Sequence, residues 1–387
     1  MPPHAPGLGL DASSSAWDVP AAHAPVAPAH FRPERIYLCK GATATPRRRA
    51  FVERICAALP GAEVIERPDV PHNRIDLAEP DPLARSRRGK RTLVFGELKT
   101  AVRFSEERDN CCPNYWHFSP YGYCPYGCSY CYLAGTRGVW FSPTVKVYVN
   151  LPEILGKIDR LARQRARPTA FYLGKLQDGL ALDPLTAYST VLTPFFARHP
   201  FARQIVLTKS AHVGRLLQLD HGGRTTLSWS VNPPEIAERF EPGAPPVADR
   251  LDAMKRCAAA GYPVRAVLMP MIPADAWREL YRPFVRRLLR DAPVERLTVG
   301  GICSYTNARR LMERRMPGNI ISPALGGPSA DGRLRYPPEL REEMYRTVLA
   351  AAHEARPGLE VALCLEEPGL WQAIGRTVSL GRCNCRL

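Results

Sequence analysis

Residues Tyr123-Cys124-Pro125-Tyr126-Gly127-Cys128-Ser129-Tyr130-Cys131-Tyr132 carry three cysteines in a C-x3-C-x2-C spacing. Three thiolates on one short loop can hold three irons of a cubane [4Fe-4S] cluster and leave the fourth iron without a protein ligand. The amino and carboxylate groups of S-adenosylmethionine (SAM) can chelate such an iron, and one electron then cleaves a carbon–sulfur bond and releases a radical. The spacing therefore predicts a cluster loop for radical chemistry on SAM.

Two other interpretations of the triplet are a structural zinc site and unrelated buried thiols. Zinc usually takes four ligands in paired spacings such as C-x2-C, and no further cysteine occurs between Cys131 and Cys257. The turn at Gly127 and the aromatic Tyr130 before the last cysteine also favour the cluster.

The charge balance indicates anionic partners. Among the 387 residues, 45% of which are hydrophobic, 53 Lys and Arg outnumber 37 Asp and Glu, for a formal net charge of +16. Nucleic acid, phosphates, an acidic protein or a flavodoxin-like electron donor would suit this charge. The alternative is an arginine-rich composition spread over solvated faces, and the one dense run, 85–91, is predicted to lie in a loop.

The twelve cysteines and the composition of the N-terminus indicate the cellular compartment of the protein. Residues Met1–His30 are rich in Ala, Pro and His and lack a basic segment followed by an apolar one, so no signal peptide is predicted. No apolar run approaches the length of a membrane span. We therefore expect reduced thiols and a cytoplasmic protein without membrane partners.

The chain divides into four predicted parts of an α/β protein. Alternating strands and helices in its central region are typical of βα units. The parts are a disordered tail (1–29), a small α/β lobe (30–110), a partial (βα)6 TIM-like radical SAM barrel (111–304) and a C-terminal extension with a terminal Cys-x-Cys (305–387).

Six strands are predicted for the barrel: Tyr115–Ser119, Thr169–Leu173, Gln204–Thr208, Thr225–Val231, Pro263–Met269 and Arg296–Gly300. A helix over Pro152–Arg163 has one apolar face, with Asn150 as its expected cap. The cluster loop follows the first strand, which places it at the carboxyl ends of the strands, where barrels of this kind collect their chemistry.

Several segments around the triplet resemble the spore photoproduct lyase family of radical SAM proteins. The matching segments are Cys131-Tyr132-Leu133, Val145–Asn150, Ser228–Asn232, Phe240-Glu241-Pro242-Gly243, Arg250-Leu251 and Ala260–Pro263, with Pro33–Tyr37, His72-Asn73-Arg74 and Lys90–Val94 upstream. The resemblance spans residues 31–300 and implies a radical SAM enzyme with a [4Fe-4S] cluster and SAM as cofactors.

The resemblance implies roles at matching positions. Cys124, Cys128 and Cys131 would ligate the cluster. Lys209 and Ser230, at the ends of two predicted strands, would hold the amino-acid part of SAM, and the backbone of Tyr130 would contact adenine. The alternatives are a surface lysine and a serine hydroxyl bonded within its own strand.

One departure from the family concerns the position after the second barrel strand, where the repair lyases carry a cysteine that returns a hydrogen atom to the product radical. Lys175 stands there or next to it, and an ammonium cannot replace a thiol as that donor. Lys175 is therefore expected to bind an anionic substrate group, and Gln177 or Asp178 to bond a SAM hydroxyl. Lys175, Tyr130 and Tyr132 are the candidate catalytic residues of this region. Thymine-dimer repair is in doubt, and a relative that changed its substrate is inferred.

The remaining cysteines fall into two groups. Cys111-Cys112 and the terminal Cys383-Asn384-Cys385 can chelate a soft ion, act as a redox pair or supply a hydrogen atom, with a loose inert tail as the alternative. Cys383 and Cys385 are candidate catalytic residues, since the tail can fold over a barrel mouth. The others are expected to fill the core: Cys39, Cys56, Cys257, Cys303 and Cys364.

Three functional hypotheses remain open. The first is reductive SAM cleavage acting on a nucleic acid, a nucleotide or another anionic substrate, with a flavodoxin or ferredoxin as electron donor. The second is a biosynthetic enzyme that cleaves SAM on its other side and transfers an aminocarboxypropyl group to a thiol-bound acceptor such as trivalent arsenic. The third is a non-catalytic iron–sulfur electron carrier or sensor.

Overall fold

The strands of the chain form two sheets in the computed structural model, which describes residues 23–376 and 382–387. The strands are β1 (Arg35–Cys39), β2 (Glu63–Arg67), β3 (Thr92–Gly96), β4 (Val102–Ser105), β5 (Tyr115–Phe118), β6 (Tyr121–Gly122), β7 (Val145–Tyr148), β8 (Thr169–Leu173), β9 (Ala202–Thr208), β10 (Thr225–Ser230), β11 (Val264–Leu268), β12 (Arg296–Val299) and β13 (Glu360–Leu363). The larger sheet has the order β13-β12-β11-β10-β9-β8-β5-β4, and the smaller one β2-β1-β3-β7-β6.

Helices connect most of these strands. They are α1 (Pro46–Ala57), α2 (Pro82–Lys90), α3 (Arg137–Phe141), α4 (Leu151–Arg165), α5 (Asp183–Thr186), α6 (Ser189–Arg198), α7 (Pro234–Phe240), α8 (Val247–Ala259), α9 (Trp277–Asp291), α10 (Thr306–Arg315), α11 (Ile321–Ala324), α12 (Pro338–Ala355) and α13 (Pro368–Ala373). No helix in the described part of the chain is long and apolar enough to cross a bilayer.

The large sheet contains all six strands predicted for the barrel. From β5 through β8 to β12 each neighbour pairs in parallel, while β4 pairs antiparallel with β5. Every residue of β10 and β11 is buried, as expected for strands covered on both faces. The predicted partial barrel is confirmed.

A seventh parallel strand comes from the C-terminal extension. Strand β13 pairs with β12 in register from Arg296 opposite Glu360 to Val299 opposite Leu363. Helix α12 lies between the two strands in sequence, so β12-α12-β13 is one more βα unit. The extension is therefore continuous with the barrel sheet.

Helix α4 begins at Leu151, one residue before the predicted start, and Asn150 stands at its N-cap position without a side-chain cap bond. The Asn150 side chain does not cap the helix; its Oδ1 accepts a hydrogen bond of 3.0 Å from the amide of Leu98. The capping prediction was wrong because a backbone donor from the neighbouring lobe competes for the same oxygen.

The small sheet takes strands from both sides of the predicted boundary at residue 110. Strand β7 pairs in parallel with β3, and β6 pairs antiparallel with β7. The predicted tail, residues 1–29, lies outside the described residues up to position 22. From His23 onward the chain contacts the barrel, where the amide of Val26 donates to the carbonyl of Pro184 at 2.9 Å. The four-part division stays a prediction.

The dense basic run lies on helix α2, and the prediction of a loop was wrong. Asp81 caps this helix through a 2.8 Å hydrogen bond from the amide of Ala84, and Pro82 occupies the first turn. Strong helix signals at the start of the segment therefore outweigh the charge repulsion within it.

The C-terminal segment 382–387 packs inside the large sheet. Arg265 on β11 donates to the carbonyl of Arg386 at 2.6 Å, and Arg296 on β12 donates to the carbonyl of Cys383 at 3.3 Å. The Asn384 side chain accepts a 2.8 Å hydrogen bond from Ser228 on β10. Three neighbouring strands therefore fix this segment.

Candidate cofactor site

A cavity of about 420 Å³ opens at the carboxyl ends of the barrel strands. Its size is in the range of small-molecule and cofactor pockets. Its walls include the three cysteines of the cluster loop, the strand-end residues Lys209 and Ser230, and the C-terminal Cys383-Asn384-Cys385. The groups that the sequence predicted for cofactor binding therefore share one space.

The cluster loop is held by a second segment of the chain. The amide of Gly127 donates to the carbonyl of Pro242 at 2.9 Å, and the amide of Ser129 donates to the carbonyl of Phe240 at 2.8 Å. A Cβ at Gly127 would lie only 3.0 Å from the oxygen of Pro242, so an added side chain would require this oxygen to shift by a few tenths of an ångström. These contacts explain why the cysteine triplet and the Phe240–Gly243 segment occur together in this sequence.

Replacing Gly127 with alanine is expected to separate these two segments. The added Cβ weakens the Gly127–Pro242 hydrogen bond, at a cost of about 1 kcal/mol in the free energy of unfolding, and lowers the iron content. Denaturant unfolding and iron analysis measure the two effects. Gly138→Ala is the matched control, since nothing lies within 4 Å of a Cβ at that position. Equal iron content in both variants would contradict the expectation.

Lys90, the last residue of α2, also holds the loop. Its ammonium donates to the carbonyl of Tyr126 at 2.7 Å and also to that of Cys124. The same group lies 3.7 Å from the centre of the Tyr123 ring. The sequence placed this lysine in a basic run without a role, and the structure uses its charge to fix the cluster loop.

The three loop cysteines suit a [4Fe-4S] cluster in chemistry and setting. Cys128 is buried, Cys124 and Cys131 are half-buried, and all three face the cavity. Burial raises the pKa of the Cys128 thiol to about 12, while the charge of Lys209 opposes this rise; for Cys124 burial also raises the pKa, and Lys90 opposes it. Iron is needed to hold these groups as thiolates, and the two ammonium groups favour the negative charge of a thiolate-ligated cluster.

Glu241 is the centre of the charged network next to the loop. Its buried carboxylate lies 3.2 Å from the ammonium of Lys209 and 2.6 Å from the guanidinium of Arg250, and it accepts a hydrogen bond from the hydroxyl of Tyr130. Burial alone would raise the pKa of Glu241, but Lys209 and Arg250 outweigh it and lower the pKa to about 2. Glu241 is therefore ionised at neutral pH.

Lys209 and Ser230 meet as predicted from their strand-end positions. The ammonium of Lys209 donates to the Ser230 hydroxyl at 2.5 Å, and both residues line the cavity. An ammonium has three donors, so after Ser230 and Glu241 one hydrogen remains for a ligand.

Asp178 and Gln177 differ in whether a side-chain oxygen remains free to accept a hydrogen bond from a ligand. Both oxygens of Asp178 are used: Oδ1 accepts from Thr208 at 2.6 Å and from two amides of its own loop, and Oδ2 accepts from the amide of Lys209 at 2.7 Å. Gln177 is buried and donates to the carbonyl of Phe118, while its Oε1 has no partner among the described residues. Gln177 is thus the better candidate to contact a ligand, and Asp178 positions Lys209.

Lys175 lies at the cavity wall but is already paired. Its ammonium contacts Oε1 of Glu107 at 2.8 Å and the Ser105 hydroxyl, while Arg333 contacts Oε2 of Glu107 at 3.0 Å. Burial opposes ionisation of Glu107, yet the hydrogen bond from Lys175 is among the contacts that bring its pKa below the ordinary value. Glu107 therefore neutralises much of the positive charge of Lys175, the group that was expected to bind a substrate anion.

Tyr130 and Tyr132 occupy different positions. The Tyr130 hydroxyl is directed to Glu241, whereas the Tyr132 hydroxyl donates to the carbonyl of Lys175 at 2.5 Å. The Tyr132 ring is 37% exposed and packs near Tyr305. Tyr132 thus connects the cluster loop to the Lys175 side of the cavity.

A group of thiols forms another part of the cavity wall. The sulfurs of Cys112, Cys364 and Cys383 all lie within 4.8 Å of one another, and Cys385 packs in the same cluster with Tyr115 and Tyr172. Cys383 and Cys385 therefore reach the cavity as predicted. Cys364, expected to fill the core, instead belongs to this thiol group because β13 ends directly beside the C-terminal segment.

The sequence assigned no role to Lys90, Glu107 or Glu241, and it placed Cys364 in the core. Glu241 stands in a segment that matched the family, which was the available signal, but its partners come from two other parts of the chain. Cys112 and Cys383 were noted as soft ligands, whereas the approach of Cys364 depends on the pairing of β13.

Comparisons with known proteins agree with this architecture. Residues 31–319 match the family model for spore photoproduct lyase. The spore photoproduct lyase of Bacillus subtilis is 31% identical over 220 residues, which span 56% of this chain and 62% of that protein. That of a Geobacillus species is 30% identical over 264 residues, covering 67% of this chain and 74% of its own.

Solved structures of spore photoproduct lyase share the fold. One in complex with dinucleoside spore photoproduct superposes with a TM-score of 0.75 at 26% identity, over 86% of this chain and 99% of that one. A mutant with bound SAM and dinucleoside spore photoproduct gives a TM-score of 0.74 at 26% identity, over 86% of this chain and 98% of its own. Because the family model covers most of the sequence, the chain belongs to the spore photoproduct lyase family of radical SAM proteins, whose cofactors are a [4Fe-4S] cluster and SAM.

Proposed function

We propose that this chain is a radical SAM enzyme that retains the radical generator of its family and acts on a different substrate. The supporting observation is that the cluster loop and the Lys209–Ser230–Glu241 network open on one cavity. Cys124, Cys128 and Cys131 would hold the cluster, which when bound supplies the electron that cleaves a carbon–sulfur bond of SAM.

The charged network would bind the amino-acid part of SAM. Lys209 directs its remaining N–H to the SAM carboxylate, while Glu241 and Ser230 fix the position of its ammonium. Arg250 keeps Glu241 ionised and in place. The backbone at Tyr130 would contact adenine, and Oε1 of Gln177 would accept a hydrogen bond from a SAM hydroxyl.

The substrate is proposed to differ from the lesion bound by the family's solved structures. No thiol stands between Cys131 and Cys257 in the sequence, and Lys175 at the expected position is paired with Glu107. Besides the loop cysteines, the thiols that reach the cavity are those of Cys112, Cys303, Cys364 and the C-terminal segment. A nucleotide or nucleic acid remains the first substrate class, because relatives bind a dinucleoside and the net charge is +16.

Binding of single- or double-stranded DNA is expected to weaken steeply with salt. Phosphate contacts release counterions, so a site of several contacts loses about 10³-fold or more in affinity between 50 and 200 mM salt. Fluorescence anisotropy with a labelled oligonucleotide measures the slope. Within the α2 run, Arg88 bonds the carbonyl of Leu77 and Lys90 bonds the cluster loop, so neither is available to a phosphate. Arg88→Ala is therefore a control with almost unchanged affinity. No binding at low salt would exclude nucleic acid as the substrate.

The proposed function is tested by anaerobic reconstitution with iron, sulfide and dithionite. Addition of SAM is expected to change the EPR spectrum of the reduced cluster, and mass spectrometry is expected to find 5′-deoxyadenosine. An unchanged spectrum would overturn the proposal. A reduced cluster whose spectrum does not change with SAM and that cleaves no SAM would support the third hypothesis, an electron carrier or sensor. A flavodoxin or ferredoxin would exchange electrons with such a carrier, and it is also the proposed electron donor of the enzyme.

The thiol group favours a second candidate function. An acceptor bound to thiols at the cavity wall could take an aminocarboxypropyl group from SAM cleaved on its other side. The same mass spectrum separates the two, because this reaction yields methylthioadenosine and not 5′-deoxyadenosine.

A further inference from the structure

We propose that Cys112, Cys364 and Cys383 form a three-sulfur binding site for one thiophilic ion, distinct from the cluster loop. The three residues come from the segment before β5, the end of β13 and the C-terminal segment. Their sulfurs lie within 4.8 Å of one another. The inference deepens the second candidate function, but the binding itself requires no turnover of SAM.

The spacing suits a single ion better than a cluster. With a metal–sulfur distance of about 2.3 Å, sulfurs on one tetrahedral ion lie about 3.8 Å apart, so small rotamer adjustments bring these three together. Sulfurs on different irons of a cubane lie further apart. An all-sulfur donor set selects soft ions over Mg²⁺ or Ca²⁺.

The backbone around the thiols is ordered by specific contacts. The amide of Leu365 donates to the sulfur of Cys112 at 3.1 Å, and the amide of Cys111 donates to the carbonyl of Glu366 at 2.8 Å. These bonds join the Cys112 segment to the one that carries Cys364. Arg296 holds the carbonyl of Cys383, as described above, so all three sulfurs stand on fixed backbone.

A buried amide beside the thiols has no partner. Asn384 is 4% exposed and lines the cavity; Ser228 donates to its Oδ1, but its Nδ2 donates to none of the described residues. A buried donor without an acceptor is unfavourable, and a sulfur ligand or an anion bound to the ion would supply that acceptor. This donor is the second, independent feature that points to a ligand.

The site is open on the side of the cavity. Cys112, Cys364 and Cys383 line the same space as Lys209 and the cluster loop. On binding Cd²⁺ or Zn²⁺ each coordinating thiol releases its proton to solvent, and on binding arsenite each thiol proton leaves with an arsenic hydroxyl as water; no electron transfer is involved. An ion with three sulfur ligands would retain an exchangeable position facing the proposed SAM site, whereas Tyr115 and Tyr172 pack around the sulfurs.

The test is an ion titration of the full chain with its cluster reconstituted anaerobically. Cd²⁺, Zn²⁺ and arsenite are separate probes, read by sulfur-to-ion ultraviolet absorption and by ion-to-protein ratio after gel filtration, with iron content as the check on the cluster. We expect at least one probe to bind at one equivalent. Cys383→Ser and Cys364→Ser are expected to lower the affinity for the ion by about 100-fold or more, because losing even a residue that only hydrogen-bonds to a metal ligand lowers metal affinity about 10–100-fold.

Matched controls locate the site. Cys303→Ser removes a thiol of the same cavity outside the group, and Cys56→Ser removes one on α1, and both should bind normally. Cys385→Ser should change affinity by less than about 3-fold if three sulfurs suffice; a loss equal to that of Cys383→Ser would overturn the three-ligand assignment.

Alkylation of the unmutated protein covers the case of variants that do not fold. The bound ion should protect Cys112, Cys364 and Cys383 against N-ethylmaleimide, as read by peptide mass spectrometry, and leave Cys56 reactive. No protection, or no probe bound beyond the cluster, would overturn the site. Neither result depends on the EPR response to SAM, so failure here is distinguishable from failure of the proposed function.

Discussion

Replacing Cys128 with alanine is expected to abolish cluster binding and SAM cleavage. Cys128 is the buried member of the loop triplet, and its backbone carbonyl is within 3.4 Å of Arg315, so the loop itself stays supported when the sulfur is lost. A cluster with two protein ligands is not retained, and SAM cleavage should fall by at least about 10³-fold, as for a group on which the whole reaction depends. Iron and sulfide analysis, EPR and nucleoside mass spectrometry measure the loss.

Cys56→Ala is the control for the Cys128 variant. Cys56 is a half-buried thiol on α1 away from the cavity, so its removal should leave iron content and SAM cleavage unchanged. Circular dichroism confirms that both variants fold. A Cys128 variant with full iron content and normal cleavage would show that the triplet does not hold the cluster.

Replacing Glu241 with glutamine is expected to destabilise the fold and weaken SAM binding together. The substitution leaves the buried cations of Lys209 and Arg250 without their carboxylate, and breaking a buried pair in this way costs about 3–5 kcal/mol. The ammonium of Lys209 also loses the group that fixes it. Denaturant unfolding measures the first effect, and the SAM-induced change in the cluster EPR spectrum measures the second.

The same variant has a distinctive pH dependence. Because the pKa of Glu241 is lowered to about 2 in the folded protein, its ionised form stabilises the fold above the ordinary carboxyl pKa of about 4.5, and this contribution is lost as the pH falls towards 2. The difference in unfolding free energy between parent and variant should therefore be largest near neutral pH and shrink on acidification below pH 4.5. A constant difference would show that the carboxylate charge is not the cause.

An exposed ion pair provides the control for Glu241. Arg278 and Glu343 form a contact between helices in which both side chains are more than two-fifths exposed. Solvent screens such a pair, so Glu343→Gln should cost less than about 1 kcal/mol and leave SAM binding unchanged. Equal losses in the two variants would mean that burial of the Glu241 network contributes nothing.

The barrel strands were predictable from the sequence, whereas the outer parts of both sheets were not. Strands β8 to β12 are short apolar runs between turns, a pattern that depends on neighbouring residues alone. The pairing of β13 with β12, and of β7 with β3, depends on which edges remain uncovered after folding. The hydrogen bond of the Asn150 side chain likewise depended on a backbone donor, the amide of Leu98, from another lobe.

Within the site, the position of a residue was easier to predict than its partner. The loop cysteines follow from the motif, and Lys209 and Ser230 follow from the resemblance to the family. Glu107 and Glu241 each pair with a lysine from a distant segment, and the positions of the lysines alone do not reveal these pairings. Binding of a substrate anion by Lys175 stays a prediction. Charge in a sequence shows which groups exist, but only the fold shows which of them compensate one another.

The two hydrogen bonds that the amides of Gly127 and Ser129 donate to the Phe240–Pro242 segment have a consequence for oxygen tolerance. Local opening of that segment would free the loop that would hold the cluster and expose the cluster further to oxygen. The lifetime of the cluster-loaded protein in air would then depend on local unfolding of a few residues at the α7–α8 connection. This opening would occur well below the temperature at which the barrel unfolds.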